Sequence, residues 1–404
     1  MANGDKTISV PPTPFVPQGV PPQWARLAAT IGVAALAAHG VGLWLRPDEF
    51  FRGYLAAYNF WLAVAVGSLA ILMTHQLTGG AWGYLLRHVL QSAVRTLPLM
   101  ALLFVPLAFG LDHVYPWARP GAMADDTLLA EKARYLNPQW FLIRAAIYFA
   151  VWIVLGLLIN RLLARHERTG NPRLLSRSAL LSGPGLVIYW LAVTFAAVDW
   201  VMSLQPYWSS TIFPTIFAVG QIMAAYAFAV LVTMLVSSRP EVSAVVTPKR
   251  FRDLGNLMLM LVMFWAYVAF SQFMLIWIGN LPDEVIWYVP RFSGGWQWVA
   301  LGLILLQFGL PFLVLLLRKT KQSRSAMGAL CLLLLVTGVA NFLWQIVPSF
   351  RPSDLADRWG EVATSLWGLL GIGGLWLGLV LWQLGRQPLV PAHSPLAEEL
   401  AHHG

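Results

Sequence analysis

Titratable and polar side chains recur at helical spacing in one otherwise apolar part of the chain. His88, Gln91, Ser92, Arg95 and Thr96 stand at i, i+3, i+4, i+7 and i+8, which places all five on one face of a helix. The preceding apolar run ends in Thr74, His75 and Gln76, and the connection 77–86 is short and contains Gly79-Gly80. Folded as a hairpin, this stretch gathers two imidazoles, Arg95 and several amide and hydroxyl groups at one end. Imidazole titrates near neutral pH, so such a group can hold water and pass protons partway into a bilayer. The competing reading is electrostatic: arginine and histidine near a membrane surface snorkel to it and bind anionic lipid.

A second polar stretch, 198–211, reads Val-Asp-Trp-Val-Met-Ser-Leu-Gln-Pro-Tyr-Trp-Ser-Ser-Thr. It sets one carboxylate, Asp199, at the end of a long apolar run, where an ionised group is costly unless paired or used. Asp112, His113 and Arg144 are expected at the same end of the molecule. Arg144, about one turn into its own helix, can pair with Asp199; alternatively Asp199 is a protonatable group near an exit. Gln221, Tyr226 and Gln272 add polar groups within later apolar runs, as do Tyr267, Ser271, Gln307, Asn341, Gln345 and Gln383. Amides in such places commonly bridge helices, each bond contributing about 1 kcal/mol or less. His39 stands alone and suits packing.

Helices must position these groups. Of the 404 residues, 58% are hydrophobic and only 11% charged, against about 25% charged in soluble domains. Most of the surface must therefore face lipid. Ten apolar runs are each close to the roughly 20 residues that span a bilayer: 26–45, 56–77, 88–110, 141–162, 180–199, 211–236, 255–278, 296–317, 326–347 and 362–384. Backbone satisfaction in lipid makes them helices, so the expectation is an all-α integral membrane domain over 25–386. A Pro-rich tail (1–24) and a second tail (387–404) flank it. The net charge of +9 does not point to nucleic acid, because the basic residues sit in short loops between apolar runs. Arg161, Arg165, Arg168, Arg173 and Arg177 mark one such loop, and Arg318, Lys319, Lys321 and Arg324 another. The loop with Asp199 has none. Positive-inside asymmetry then puts both termini in the cytoplasm and Asp199 outside.

The outer segment 111–140 mixes Asp112, Asp125, Asp126, Glu131, Lys132 and Arg134 with Pro116 and Pro120. It suits either a structured surface for a peripheral partner or a solvated loop. Prolines 98, 106, 184, 214 and 311 fall within or at the ends of helices and can bend them; Gly183-Pro184-Gly185 is the strongest expected breaker. Trp44, Trp82, Trp117, Trp140, Trp200, Trp208, Trp287 and Trp359 lie near helix ends, as an interfacial belt requires. The lone cysteine, Cys331, excludes an internal disulfide, a c-type haem attachment and an iron–sulfur ligand set. His75 and His88 flank a turn and cannot present one face to a haem, and no nucleotide-binding or zinc-protease motif is present. No metal site and no catalytic residue is expected, and a redox cofactor would be a dissociable quinone or belong to partners.

Three stretches carry a family likeness: Tyr135-Leu136-Asn137-Pro138-Gln139-Trp140-Phe141-Leu142-Ile143-Arg144 with Tyr148, Phe149 and Trp152; Asp199-Trp200 through Met202, Ser203, Leu204, Pro206, Trp208 and Thr211; and Phe264 through Tyr267, Ser271, Gln272, Trp277, Gly279 and Asn280 to Pro282 and Glu284. Together with ten helices they resemble the ActF subunits of bacterial alternative complex III, within the wider polysulfide-reductase membrane-subunit (NrfD-like) family. The likeness covers roughly 85–320. It implies two four-helix bundles plus two further helices in a bacterial inner (cytoplasmic) membrane. It also implies a respiratory assembly that oxidises quinol and passes electrons to a cytochrome c or a terminal oxidase. Iron–sulfur clusters and haem c would sit in partner subunits, and the better-supported quinol site in a sister membrane subunit. A chain of this family acts as scaffold and proton-path partner, an oxidoreductase subunit without a complete redox site. From the residues alone, an independent secondary transporter or channel and a purely structural membrane anchor stay open. Helix 3 offers no group titrating near neutral pH between Thr96 and Asp112, so no continuous proton wire is written in the sequence.

Overall fold

The computed structural model describes residues 20–122, 124, 126–236, 247–350 and 355–387, with backbone alone for 355–359. Most of both tails, Asp125, Arg239, Arg351, Asp354 and the side chains of Asp357, Arg358 and Trp359 lie outside the described residues. Ten helices are long and apolar enough to cross a membrane, and no strand occurs among the described residues. They are α1 (Pro22–Leu45), α2 (Pro47–Thr78), α3 (Ala81–Phe109), α4 (Pro138–Thr169), α5 (Arg173–Trp200), α6 (Phe213–Val236), α7 (Pro248–Gly279), α8 (Trp296–Leu316), α9 (Arg324–Ile346) and α10 (Leu355–Leu384). The chain is thus an all-α, multi-pass membrane protein.

Several helices outrun the apolar runs that announced them. α2, α4 and α7 each have 32 residues, about 48 Å at 1.5 Å per residue, against a hydrocarbon layer of about 30 Å. Apolar runs report only the lipid-embedded part; beyond it the backbone stays helical while side chains turn polar. α2 accordingly starts at Pro47, with Asp48 and Glu49 in its first turn. α4 continues to Thr169, ending on Gly170 at φ 65°.

α2 is the centre of the molecule, with 94% of its most apolar window buried. It packs on α1, α3, α5, α6, α9 and α10. Around it α4 packs on α3 and α5, α7 on α6 and α8, α9 on α6 and α8, and α1 lies along α10. Small residues permit the close approaches. A Cβ on Gly53 would stand 2.8 Å from the Ser365 nitrogen, and one on Gly374 would stand 2.5 Å from Gly32 Cα. Gly374→Ala is therefore expected to part α1 from α10 and lower stability by about 1–3 kcal/mol. Gly183→Ala, with no heavy atom within 4 Å of its added carbon, is expected to be near neutral. Thermal unfolding in one detergent compares the two.

Two helix irregularities trace to proline, and one expected irregularity is absent. α3 is interrupted at Arg95 and Thr96, where ψ relaxes to −9° and −7° and Thr96 Oγ1 turns back to donate to the Ala93 carbonyl at 2.6 Å. Pro98 cannot donate into the preceding turn, so helix resumes with proline in its first turn. The single face expected from His88 to Thr96 therefore ends at Arg95. In α8, Leu303–Gly309 is π-helical just before Pro311, and the Leu310 amide reaches the Leu305 carbonyl. Proline leaves the Gln307 carbonyl without its usual donor, and the widened turn accommodates the ring. By contrast α5 runs unbroken through Gly183-Pro184-Gly185. Pro184 lies on the exposed side of α5, away from any neighbour its ring would displace.

Candidate functional site

Asp199 occupies the last turn of α5, where the helix dipole disfavours a carboxylate. It is fully buried, so its charge must be met locally. Arg144 Nε donates to Oδ2 at 2.8 Å and Arg144 Nη2 to Oδ1 at 2.9 Å, a two-pronged pair. The Tyr148 hydroxyl donates to Oδ2 at 2.7 Å from one turn further along α4. Arg144 is itself positioned by the Tyr135 carbonyl at 3.0 Å and lies over the Tyr135 ring at 3.9 Å. The start of α4 is set by Asn137, whose side chain accepts from the Trp140 amide at 2.9 Å. The expected ion pair is thus formed.

Phenols surround the pair and stay protonated. Burial, followed by the charge of Asp199, pushes the Tyr115 and Tyr135 hydroxyls above their ordinary range. Tyr115 donates to the Trp200 carbonyl at 3.2 Å. On the other flank Ser210 donates to the Gln272 side chain at 2.8 Å, and Trp208 donates to the Glu284 carbonyl at 3.1 Å. The stretches 135–152, 199–211 and 264–284 therefore meet in one cap at this end of the molecule. A groove of about 860 Å³ lies beside it, lined by Thr194, Ser210, Thr211, Gln272 and Glu284 among others.

The segment 111–136 is folded over this end, with Trp117, Leu129 and Leu136 buried. Asp126 caps a short helix (Thr127–Lys132) through the Leu128 and Leu129 amides and accepts from the Tyr207 hydroxyl. These bonds hold its carboxyl below the usual range, with the Tyr207 contact the largest cause. Lys132 reaches the Pro206 carbonyl at 2.5 Å. Arg291, fully buried, clamps the α7–α8 connection to the end of α9 through the Gln345 carbonyl and Ser349. Burial pulls its guanidinium well below the ordinary range.

His113 does not join Asp199. Its Nδ1 meets Asp48 Oδ1 at 2.6 Å, and Arg52 ties Asp48 at 3.3 Å to Glu361 at 3.0 Å. This second network at the same end links α2, α10 and the segment after α3, while Asp112 is exposed. Asp112 and His113 thus lie at the same end as Arg144 and Asp199, as expected, with Asp48, 65 positions away, as the acid that meets His113.

At the opposite end, His88 sits in a cluster that the hairpin alone does not make. Glu167, near the end of α4, places Oε1 3.5 Å from His88 Nε2 and 4.0 Å from Arg87 Nη1. Gln387 lies 3.1 Å from His88 Nδ1, and with its amide turned to satisfy both partners it accepts from Arg95. Arg87 and His88 are buried, while Glu167 keeps 17% of its side chain exposed. His75 bonds the Gly80 carbonyl at 3.1 Å and Gln76 at 3.3 Å, and packs edge-on to Tyr84, whose ring also carries Arg87. It staples the α2–α3 turn, and Tyr84 and Arg87 join it to the cluster at His88.

Beyond His88 the buried polar atoms lack protein partners. Both amide atoms of Gln91, the Ser92 hydroxyl and both amide atoms of Asn160 are unpaired. Gly156 lies against Val94, so antiparallel packing sets Asn160 level with Gln91. Buried polar groups of this kind are normally hydrogen-bonded, and water is the remaining partner. This stretch of buried polar groups runs from Glu167 to Ser92. It stops where Leu97, Met100 and Phe104 are buried and Phe104, Phe149 and Trp152 pack around Trp200. The apolar gap expected between the two ends is present.

Of the remaining candidates, Tyr226 donates to the Leu254 carbonyl at 3.0 Å, Gln272 is engaged by Ser210, and Gln221 is buried with its side-chain oxygen unpaired. Glu167, Asn160 and Gln387 were not singled out by the sequence reading. Glu167 lay hidden among the arginines of 161–177, although its spacing of seven from Asn160 puts both on one helical face. Among the described residues no group of three His, Cys, Asp or Glu converges as a metal site. No family model matches the chain, and no curated protein matches it.

Proposed function

We propose that this chain is a membrane subunit of a respiratory complex that oxidises quinol and delivers electrons to a cytochrome c or an oxidase. It supports quinol oxidation beside a sister membrane subunit and supplies proton half-channels. The observation that carries this reading is the pair of buried polar sites at opposite ends. One is a locked Arg144–Asp199–Tyr148 site assembled from two of the motif stretches, with the third joined to it through Ser210–Gln272 and Trp208–Glu284. The other is a carboxylate–imidazole cluster backed by unpaired polar atoms. Such an arrangement takes protons up at one end and presents a shaped surface at the other. With one cysteine in the chain, iron–sulfur and haem c centres are assigned to partners, including an iron–sulfur subunit and c-type cytochromes. The groove beside Ser210 and Gln272 offers hydroxyl and amide groups to a quinone headgroup. In the bacterial inner membrane this end would face the periplasm, with both termini in the cytoplasm.

Purification in a gentle detergent tests the assignment. Co-migration with haem-absorbing partners is the expected result. A chain that runs alone while remaining folded would favour an independent transporter instead.

A further inference from the structure

A groove of about 660 Å³ lies at the end of the molecule where the chain enters α1 and leaves α10. Its walls are apolar: Ala25 and Ala29 of α1, Leu99 of α3, and Leu375 and Leu379 of α10. Two guanidiniums, Arg26 and Arg386, line the same groove. Both are exposed, and among the described residues neither lies within ion-pair distance of a carboxylate. Arg386 is held 3.8 Å over the Trp382 ring, which orients its fork and limits the freedom lost on binding.

Depth decides what fits. Ala29 is about two turns inside the start of α1, and Leu375 lies more than two turns from the end of α10, so the walls reach about 10 Å into the bundle. A free phosphate would use the arginines and leave this apolar wall empty. An acyl chain on an anionic headgroup uses both, with the phosphate oxygens on the guanidiniums.

We propose that Arg26, Arg386 and the groove between α1 and α10 form a binding site for one anionic phospholipid. The site rests on geometry independent of the respiratory reading, because a transporter or anchor would carry it equally.

Native mass spectrometry of the intact, detergent-purified protein exposed to phosphatidylglycerol or phosphatidylethanolamine tests it. The wild type is expected to retain phosphatidylglycerol about tenfold better, and excess inorganic phosphate is expected not to displace it. The double variant R26Q/R386Q is expected to lose the preference, and R26K/R386K to keep much of it. Should the double variant elute as aggregate, R386Q alone, at an exposed site past the helix end, is expected to lose most of the preference. An undiminished preference in folded R26Q/R386Q overturns the proposal. So does a preference that the full-length chain lacks and a chain without 388–404 shows, which would make the tail the occupant.

Discussion

Asp199→Asn is expected to lower the stability of the subunit by about 3–5 kcal/mol, the usual cost of leaving one partner of a buried ion pair alone. Asparagine fits the space, so the loss is electrostatic. Two donors of Arg144 and the Tyr148 hydroxyl converge on a carboxylate with no exposed surface. An amide turns one of its oxygens into a donor and sets it against another donor. Two companions separate the pair from its parts. Tyr148→Phe removes one bond to a charged acceptor and should cost about 1.5–3 kcal/mol. The double variant R144M/D199L removes both charges together and should recover much of the loss, since apolar replacement of a buried pair is often tolerated. Thermal unfolding of purified assemblies ranks the four proteins. A wild-type midpoint for Asp199→Asn would show that the carboxylate does not hold the cap. The pair favours the structural reading of Asp199, with the surface of the cap as its functional product.

Glu167→Gln is expected to impair proton handling in an assembled complex, at some cost in stability because the buried Arg87 guanidinium loses its carboxylate. Glu167 faces Arg87 and His88 and keeps part of its surface open, so the amide can be solvated where it stands. In the proposed half-channel, what is lost is the group that would take up a proton and pass it toward His88, Gln91 and Ser92. Removing a positioned acid–base group slows proton transfer by about a hundredfold or more. Quinol-driven proton uptake is expected to fall accordingly, while haem content and subunit composition stay constant. Glu167→Asp should restore part of the rate, because it keeps the titrating group and shortens its reach. A purely neutralising role for Glu167 predicts the loss of stability with unchanged coupling instead.

The helices were legible because lipid leaves a strong compositional trace. Their lengths were not, because α4 continues beyond 162 through Glu167 into a register that reads as loop. The Arg144–Asp199 pair could be seen from two costly charges at matching depth. The true partner of His113 could not, since Asp48 precedes the apolar run assigned to α2. Nor could α2 be recognised as the central helix. A span apolar all round faces lipid or protein equally well, and only its small residues, such as Gly53 and Gly67, hint at close neighbours. Pro98 signals a bend near Arg95–Thr96, but the unbroken polar periodicity from His88 to Thr96 argues for one continuous face, and the two signals conflict. At Gly183-Pro184-Gly185 a strong local signal yielded to the continuous helix that lipid demands.

The most direct test of the proposed role reconstitutes the intact complex in liposomes and counts protons moved per electron during quinol oxidation. The Glu167→Gln complex is predicted to keep transferring electrons while its proton-to-electron ratio drops below that of the wild type. An unchanged ratio in a fully assembled Glu167→Gln complex would contradict a proton half-channel at this end of the chain.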